Sequence, residues 1–225
     1  MAKTPLEFYE EWTAEGMAKD ESLRRNTSQE IVYLKKYLEK DKRILDLGCG
    51  YGRVTIPLAK EGYIIDGLDI APSFIEKAIR DSKLMGLKID FRVGDMRNLP
   101  YEDNSYGNII SMWGVFVELP TREEQLRAIK EMQRVLISGG FAIIDMPIEK
   151  KQMAVKTDEK GDEIFIDPET RLVTGKIAGV EIAPLYNHNV DTLSELMKDA
   201  GIEKFRAFND EMGGKNRQFL IFWKR

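Results

Sequence analysis

Three aspartates, Asp46, Asp69 and Asp95, recur at intervals of 23 and 26 residues, each at or just past the end of a short apolar run. A glycine turn, Gly48-Cys49-Gly50-Tyr51-Gly52, follows the first of them. Glycines there allow a tight strand-to-helix turn and let a ligand lie against bare backbone at a helix N-terminus. Carboxylates at the ends of successive parallel strands line one crevice, where open α/β sheets bind their ligands. A dinucleotide's pyrophosphate would be repelled by Asp46, whereas a ligand with an ammonium, a ribose diol and an exocyclic amine satisfies all three acids. S-adenosylmethionine has that inventory. Asp69 is placed to accept both ribose hydroxyls, and Asp95 to accept from the adenine amine. The glycines read G-x-G-x-G, which departs from the dinucleotide fingerprint G-x-G-x-x-G.

The elements that must carry these acids follow from hydrophobic period and helix punctuation. Strands are expected at 43–47, 63–68, 88–93, 106–112 and 141–146, with helices between them. Pro72 with a Ser73/Glu76 capping box starts one helix, and Thr121 with Glu124 opens another that Gly139-Gly140 stops. Strands alternating with helices of this length mean βαβ units and a parallel sheet. From Pro147 to Asn189 the helical period disappears, and short strands are expected at 163–166, 171–174 and 180–182. The turn-like Asp167-Pro168-Glu169-Thr170 favours a hairpin between the first two. Thr192 and Glu195 cap a further helix. Two last strands, 204–208 and 218–223, leave no room for a crossover and must pair antiparallel. At the other end, Ser28 to Glu39 reads as a helix, preceded by an aromatic segment in which Tyr9, Trp12, Arg24 and Arg25 resemble a flap.

The chain resembles the class I S-adenosylmethionine-dependent methyltransferases over most of its length outside 147–189. The resemblance rests on Ile44 to Gly52, Gly67-Leu68-Asp69-Ile70-Ala71-Pro72-Ser73, Gly94-Asp95-Met96 with Leu99-Pro100, and Arg134-Val135-Leu136 with Gly139-Gly140, in that order and spacing. It implies a Rossmann-like doubly wound seven-stranded α/β sheet, mostly parallel with an antiparallel C-terminal hairpin strand, plus a small β-rich insertion. It implies Asp46, Gly48 and Gly50 at the methionine end of the cofactor, Asp69 on the ribose, Ile70 on the adenine face and Asp95 with Met96 on the adenine. Trp113 falls near the methionine moiety or the acceptor, with Phe116 and Tyr186 as further acceptor contacts. Family members that methylate base or glutamine nitrogens commonly carry an Asn/Asp-Pro-Pro-aromatic run after strand four. Here that place reads Ser111-Met112-Trp113-Gly114-Val115, so those substrates lose support. Where close small-molecule relatives often carry a His pair, this chain has Val117-Glu118.

Methyl transfer is dominated by positioning, worth roughly 7–11 kcal/mol, against about 10²–10⁴-fold from a general base. Glu118 and His188 are nominated as proton acceptors, beside the plain readings of a solvated acid and a hydrogen-bonded loop histidine. Cys49, in a glycine turn with no histidine near in sequence, reads as a small packed residue rather than a nucleophile.

A chain of 225 residues fits one domain at ~150 residues per domain. Its expected parts are an N-terminal helical cap (1–42), a cofactor-binding half (43–146), a β-rich insertion or lid (147–189) and a C-terminal helix and hairpin (190–225). Lys+Arg 34 against Asp+Glu 38 gives −4 with no basic block, which argues against a general nucleic-acid surface. One cysteine, no apolar run of membrane length and no signal-peptide pattern point to a cytoplasmic protein without a membrane partner. The expected activity is methylation of a small-molecule acceptor, without a metal. The rivals are a tRNA-nucleoside or protein methyltransferase, an NAD-dependent oxidoreductase, and a non-catalytic S-adenosylmethionine-binding protein.

Overall fold

In the computed structural model, residues 4–12, 14–19, 21–149, 163–177 and 180–225 are described. Three helices, α1 (Pro5–Trp12), α2 (Ala14–Lys19) and α3 (Glu21–Leu34), precede a regular alternation: β1 (Ile44–Leu47), α4 (Thr55–Lys60), β2 (Ile65–Asp69), α5 (Pro72–Leu84), β3 (Phe91–Val93), β4 (Tyr106–Ser111), α6 (Arg122–Val135) and β5 (Leu136–Pro147). Every residue of β1, β2 and β4 is buried, the pattern of strands covered on both faces. Leu45, Leu47, Ile109 and Ile144 face the helix pair α6 and α7 (Val190–Asp199), while Ile44, Ile110 and Ile143 meet α3 and α4.

Four short strands follow β5: β6 (Glu163–Ile166), β7 (Leu172–Ile177), β8 (Val180–Glu181) and β9 (Leu185–Tyr186) form their own antiparallel sheet. The expected hairpin turn is present, with Asp167 Oδ1 accepting from the amides of Glu169 (2.9 Å) and Thr170 (3.2 Å). After α7 come β10 (Phe205–Met212) and β11 (Lys215–Trp223). The main sheet has seven strands in the order β10-β11-β5-β4-β1-β2-β3, with β11 antiparallel to both neighbours. Strand order reverses between β1 and β4, which makes that edge the switch point where a ligand crevice opens.

Several boundaries differ from the sequence expectation. α3 begins before Ser28 and ends at Leu34. α6 ends at Val135, and Gly139-Gly140 lie inside β5, where Gly139 N–H donates to Lys224 O (2.9 Å) across the strand start. The Ser73/Glu76 box does not form; Ser73 Oγ instead donates to Glu10 Oε1 of α1 (2.9 Å), so tertiary contact replaces a local cap. Asn189 and Thr192 form the capping box of α7, in place of Thr192 and Glu195. The terminal strands run further toward each other than expected, because Gly213-Gly214, both at positive φ (62° and 76°), make a two-residue turn.

Candidate active site

Register brings the three acids to one edge. Leu47 lies opposite Leu68, and Asp69 opposite Val93, so Asp46, Asp69 and Asp95 follow one another across the carboxyl ends of β1, β2 and β3. The glycine turn folds back onto β2: the amides of Gly48 and Cys49 both donate to Leu68 O (2.8 and 3.1 Å). Gly48 has φ 73°, and a Cβ there would stand 2.5 Å from Val115 Cγ1 of the segment after β4. Gly50, at φ 55°, has nothing nearer its would-be Cβ than Phe74 at 3.7 Å. The first glycine is required by packing; the space over the second is an open cradle.

Asp69, 8% exposed, is the acid best prepared for a ligand. Its Oδ2 accepts from Gly50 N–H (2.8 Å) and its Oδ1 from Ala71 N–H (2.9 Å), which with the Ile70 amide orient the carboxylate while leaving it acceptor capacity for a ligand. Burial raises its pKa and these backbone bonds pull it down. Asp46, 2% exposed, accepts from Thr55 Oγ1 at 2.6 Å. It ties β1 to α4 beneath the glycine turn, and burial pushes it up to about 7. Asp95 is engaged elsewhere. Both its oxygens accept from the Arg97 guanidinium (2.6 to 3.0 Å), and Arg97 in turn reaches Glu124. Burial acts to raise the Asp95 pKa, but the Arg97 bonds outweigh it and hold the carboxyl low. Met96 is buried beside Leu68 and Leu99, and Ile70 is half-buried directly after Asp69.

A 3-10 turn at Val115–Glu118 follows β4. Tyr9 of α1 donates its hydroxyl to Glu118 Oε1, a contact spanning 109 residues of chain. Tyr9 also packs edge-on to Phe74 (5.6 Å), which meets Tyr51 of the glycine turn. α1 therefore packs against the rim that carries Phe74 and Glu118; the side chains of Trp12, Arg24 and Arg25 lie outside the described residues. Burial pushes Glu118 up to about 8, against the lowering effect of the Tyr9 bond.

His188 sits apart from this pair. It is 2% exposed, with its ring against Tyr186 (4.5 Å) and stacked on Phe116 (6.1 Å). Burial, with the Arg171 and Arg122 cations, drives it down to about 3, so the imidazole is neutral. Its Nδ1 lies 3.2 Å from Thr192 Oγ1 and its Nε2 has no partner among the described residues. Phe116 is itself fully buried in the main core and presents no surface to an acceptor. Cys49 is buried against the site of Gly67, and burial raises its thiol pKa, which disfavours the thiolate.

Trp113 stood out in the sequence, but not the residues that hold it, Asp145, Arg217 and Arg53. Trp113 has φ 69° and is 37% exposed; a bulky residue in the left-handed region signals a held conformation. Its N–H donates to Asp145 Oδ2 (2.9 Å) at the end of β5, and Asp145 is 0% exposed. Arg217 of β11 grips the same carboxylate through Nε (2.7 Å) and Nη2 (2.8 Å). The Arg53 guanidinium lies 4.7 Å from the indole centroid and is paired with buried Glu30 of α3. Asp145 sits where a parallel strand ends at the rim, the same signal that marked the other aspartates.

A family model described as a methyltransferase domain matches residues 44–140. Arsenite methyltransferase of Halobacterium salinarum is 32% identical over 187 residues, 80% of this chain and 41% of that protein. Norajmaline N-methyltransferase of Rauvolfia serpentina is 30% identical over 129 residues, 54% of this chain and 43% of that protein. A solved S-adenosylmethionine-dependent methyltransferase structure from Methanosarcina mazei is 26% identical with a TM-score of 0.63, over 85% of this chain and 96% of that one. These likenesses support a class I S-adenosylmethionine-dependent methyltransferase. It spans less than half the length of the two curated relatives named here. The family's cofactor suits the residues present: a buried acid with acceptor capacity left for a diol, beside an uncovered glycine backbone. Among the described residues, no group of three or more His, Cys, Asp or Glu is arranged to hold a metal ion, and no helix is long and apolar enough to cross a membrane.

Proposed function

We propose that this chain moves a methyl group from S-adenosylmethionine to a small-molecule acceptor by in-line displacement. The observation that carries the reading is the pairing of Asp69, oriented by the Gly50 and Ala71 amides, with the open cradle over Gly50. When bound, the cofactor supplies an electrophilic methyl carbon, whose bond to sulfur breaks with the electron pair left on sulfur as the acceptor's lone pair bonds to it. Asp69 holds the ribose diol, the Gly48-Gly50 backbone and Asp46 serve the methionine end, and Ile70, Met96 and Asp95 serve the adenine. For Asp95 this role requires the carboxylate to share or leave Arg97. Glu118 takes the acceptor's proton where one must be lost. Phe116 positions Glu118 from the core rather than touching the acceptor, and His188 acts as a neutral buried support. Tyr186 backs that support. A small acceptor agrees with the named substrates of the two curated relatives, and a cytoplasmic setting agrees with a single buried cysteine.

Calorimetry with S-adenosylmethionine, S-adenosylhomocysteine and NAD tests this. Micromolar binding of the first two is expected, with at least a roughly tenfold loss in Asp69→Ala, since a hydrogen bond to a charged group is worth about 1.5–3 kcal/mol. Binding of NAD alone overturns the reading in favour of an oxidoreductase. Cofactor binding without turnover of any small acceptor favours a binding protein, or a tRNA or protein substrate.

A further inference from the structure

Next to Trp113 lies a cavity, walled on one side by Asn26 and Glu30 of α3 and on the other by Met212, Lys215 and Arg217 of the terminal hairpin. Its position follows from the topology. Trp113 comes directly after β4, and Val115, two residues on, is the side chain that closes over Gly48. The cavity therefore adjoins the methionine end of the cofactor edge, on the side away from β2 and β3. Its far wall is held in place: the two-residue turn sets Met212 opposite Lys215, and Gln29 of α3 abuts Gly213 so closely that a Cβ there would meet its Oε1 at 1.8 Å.

The charges around the cavity can be paired off. Glu30 is answered by Arg53, and Arg217 by Asp145. Lys215 has no carboxylate partner among the described residues; its Nζ reaches only the neutral Asn26 Oδ1, at 3.2 Å. Two carboxylates thus face three cations, and the cation left over stands at the cavity's edge. The rest of the lining is the Gln29 side chain, the exposed part of the Trp113 indole and the largely buried Met212 thioether. Among the described residues a cationic ligand would find no unpaired acid here, and a neutral one would leave Lys215 to Asn26 and water.

We propose that this cavity binds the methyl acceptor, and that the acceptor is a flat small molecule bearing a carboxylate, which Lys215 holds while Trp113 and Met212 cover its face. This rests on the methyltransferase reading above and adds to it the class of acceptor. An ammonium at the cavity's edge beside the exposed part of an indole that Arg53 also covers gives both orientation and exclusion of ligands with the wrong charge.

Three aryl probes of similar size separate the possibilities: 4-fluorobenzoate, its isostere 4-fluorobenzamide and the cationic 4-fluorobenzylamine, titrated by fluorine NMR into the protein with S-adenosylhomocysteine present. The benzoate is expected to bind roughly threefold to tenfold tighter than the amide, the range of a partly solvated charge-assisted bond. Lys215→Met should abolish that preference, Lys215→Arg should keep it, and Trp113→Ala should weaken all three probes alike. Thermal melting of Lys215→Met, at an exposed hairpin position, verifies that the fold is intact. Tighter binding of the amine, a preference unchanged in Lys215→Met, or no binding of any probe at millimolar concentration overturns the proposal. Failure of S-adenosylhomocysteine to bind instead overturns the methyltransferase reading, and the probes are then read without it.

Discussion

Replacing Asp145 by alanine removes the shared acceptor of the Trp113 corner. In the folded protein it would leave the Arg217 guanidinium, 18% exposed at its side chain, without its carboxylate, and the Trp113 N–H without an acceptor. Breaking one member of a buried ion pair costs roughly 3–5 kcal/mol. Arg217 keeps some access to water, so the lower figure of about 3 kcal/mol applies. For a chain of this size, that lowers the melting temperature by roughly 6–12 °C. The assay is urea unfolding of Asp145→Ala, Arg217→Met and the double variant. Because each single change strands the other's charge, the double variant should lose less than the sum, with a coupling of about 1.5–3 kcal/mol. Asp145→Asn, which keeps an oxygen for the Trp113 N–H, should fall between wild type and Asp145→Ala. Losses that add to within about 0.5 kcal/mol would show that the two residues act independently, and the corner would need another anchor.

Gly50→Ala and Gly48→Ala separate cradle from packing. Gly50→Ala should cost only about 1 kcal/mol of stability, the left-handed penalty, yet weaken S-adenosylhomocysteine at least roughly tenfold, because its methyl occupies the open space. Gly48→Ala adds overlap with Val115 and should cost roughly 2–4 kcal/mol. Glu118 is raised from 4.5 to about 8 on folding, so the unfolded chain releases this proton first as pH rises. Its contribution to stability is whole below about pH 4.5 and is lost by about pH 8; Glu118→Gln should flatten that decline in urea melts at pH 5, 6.5 and 8. In turnover the sign reverses, since the base must be ionised: with an acceptor that loses a proton, the rate should climb through about pH 8, and Glu118→Gln should lower it by about 10²–10⁴-fold.

What the sequence made legible is whatever repeats locally. The strand-end aspartates, the glycine turn and the Thr121/Glu124 cap are set by residues within one βα unit, and the fold places them as expected. The antiparallel terminal pair followed from the short connection between its strands, too short for a crossover. Contacts that close long loops were not legible. Glu10 replaces a local cap at Ser73, Tyr9 finds Glu118, and Arg217 finds Asp145 from 72 residues away. None of these leaves a periodic trace, because each depends on which faces meet after the sheet has formed. His188 shows the same limit in reverse. In the sequence it reads as a proton acceptor or a hydrogen-bonded loop histidine, but Asn189 is spent capping α7 and the ring turns inward onto Phe116.

The Trp113 corner explains why polar groups are buried where an apolar plug would also fill space. An indole held at φ 69° is an unfavourable backbone state, of order 1–3 kcal/mol, and hydrophobic packing is non-directional, so it could not enforce that angle. The Asp145 carboxylate can, because it accepts the Trp113 N–H while Arg217 fixes its plane from the opposite side. Arg53 then covers the indole from the glycine-turn side and is itself fixed by Thr27 and Glu30. The result is a chain of alternating charges from α3 to β11 that runs past the end of β4. Its members satisfy one another, apart from the cation at the hairpin edge. In-line transfer needs donor and acceptor in direct contact at one distance and angle, and a rigid corner flanking both the cofactor cradle and the neighbouring cavity would hold them there.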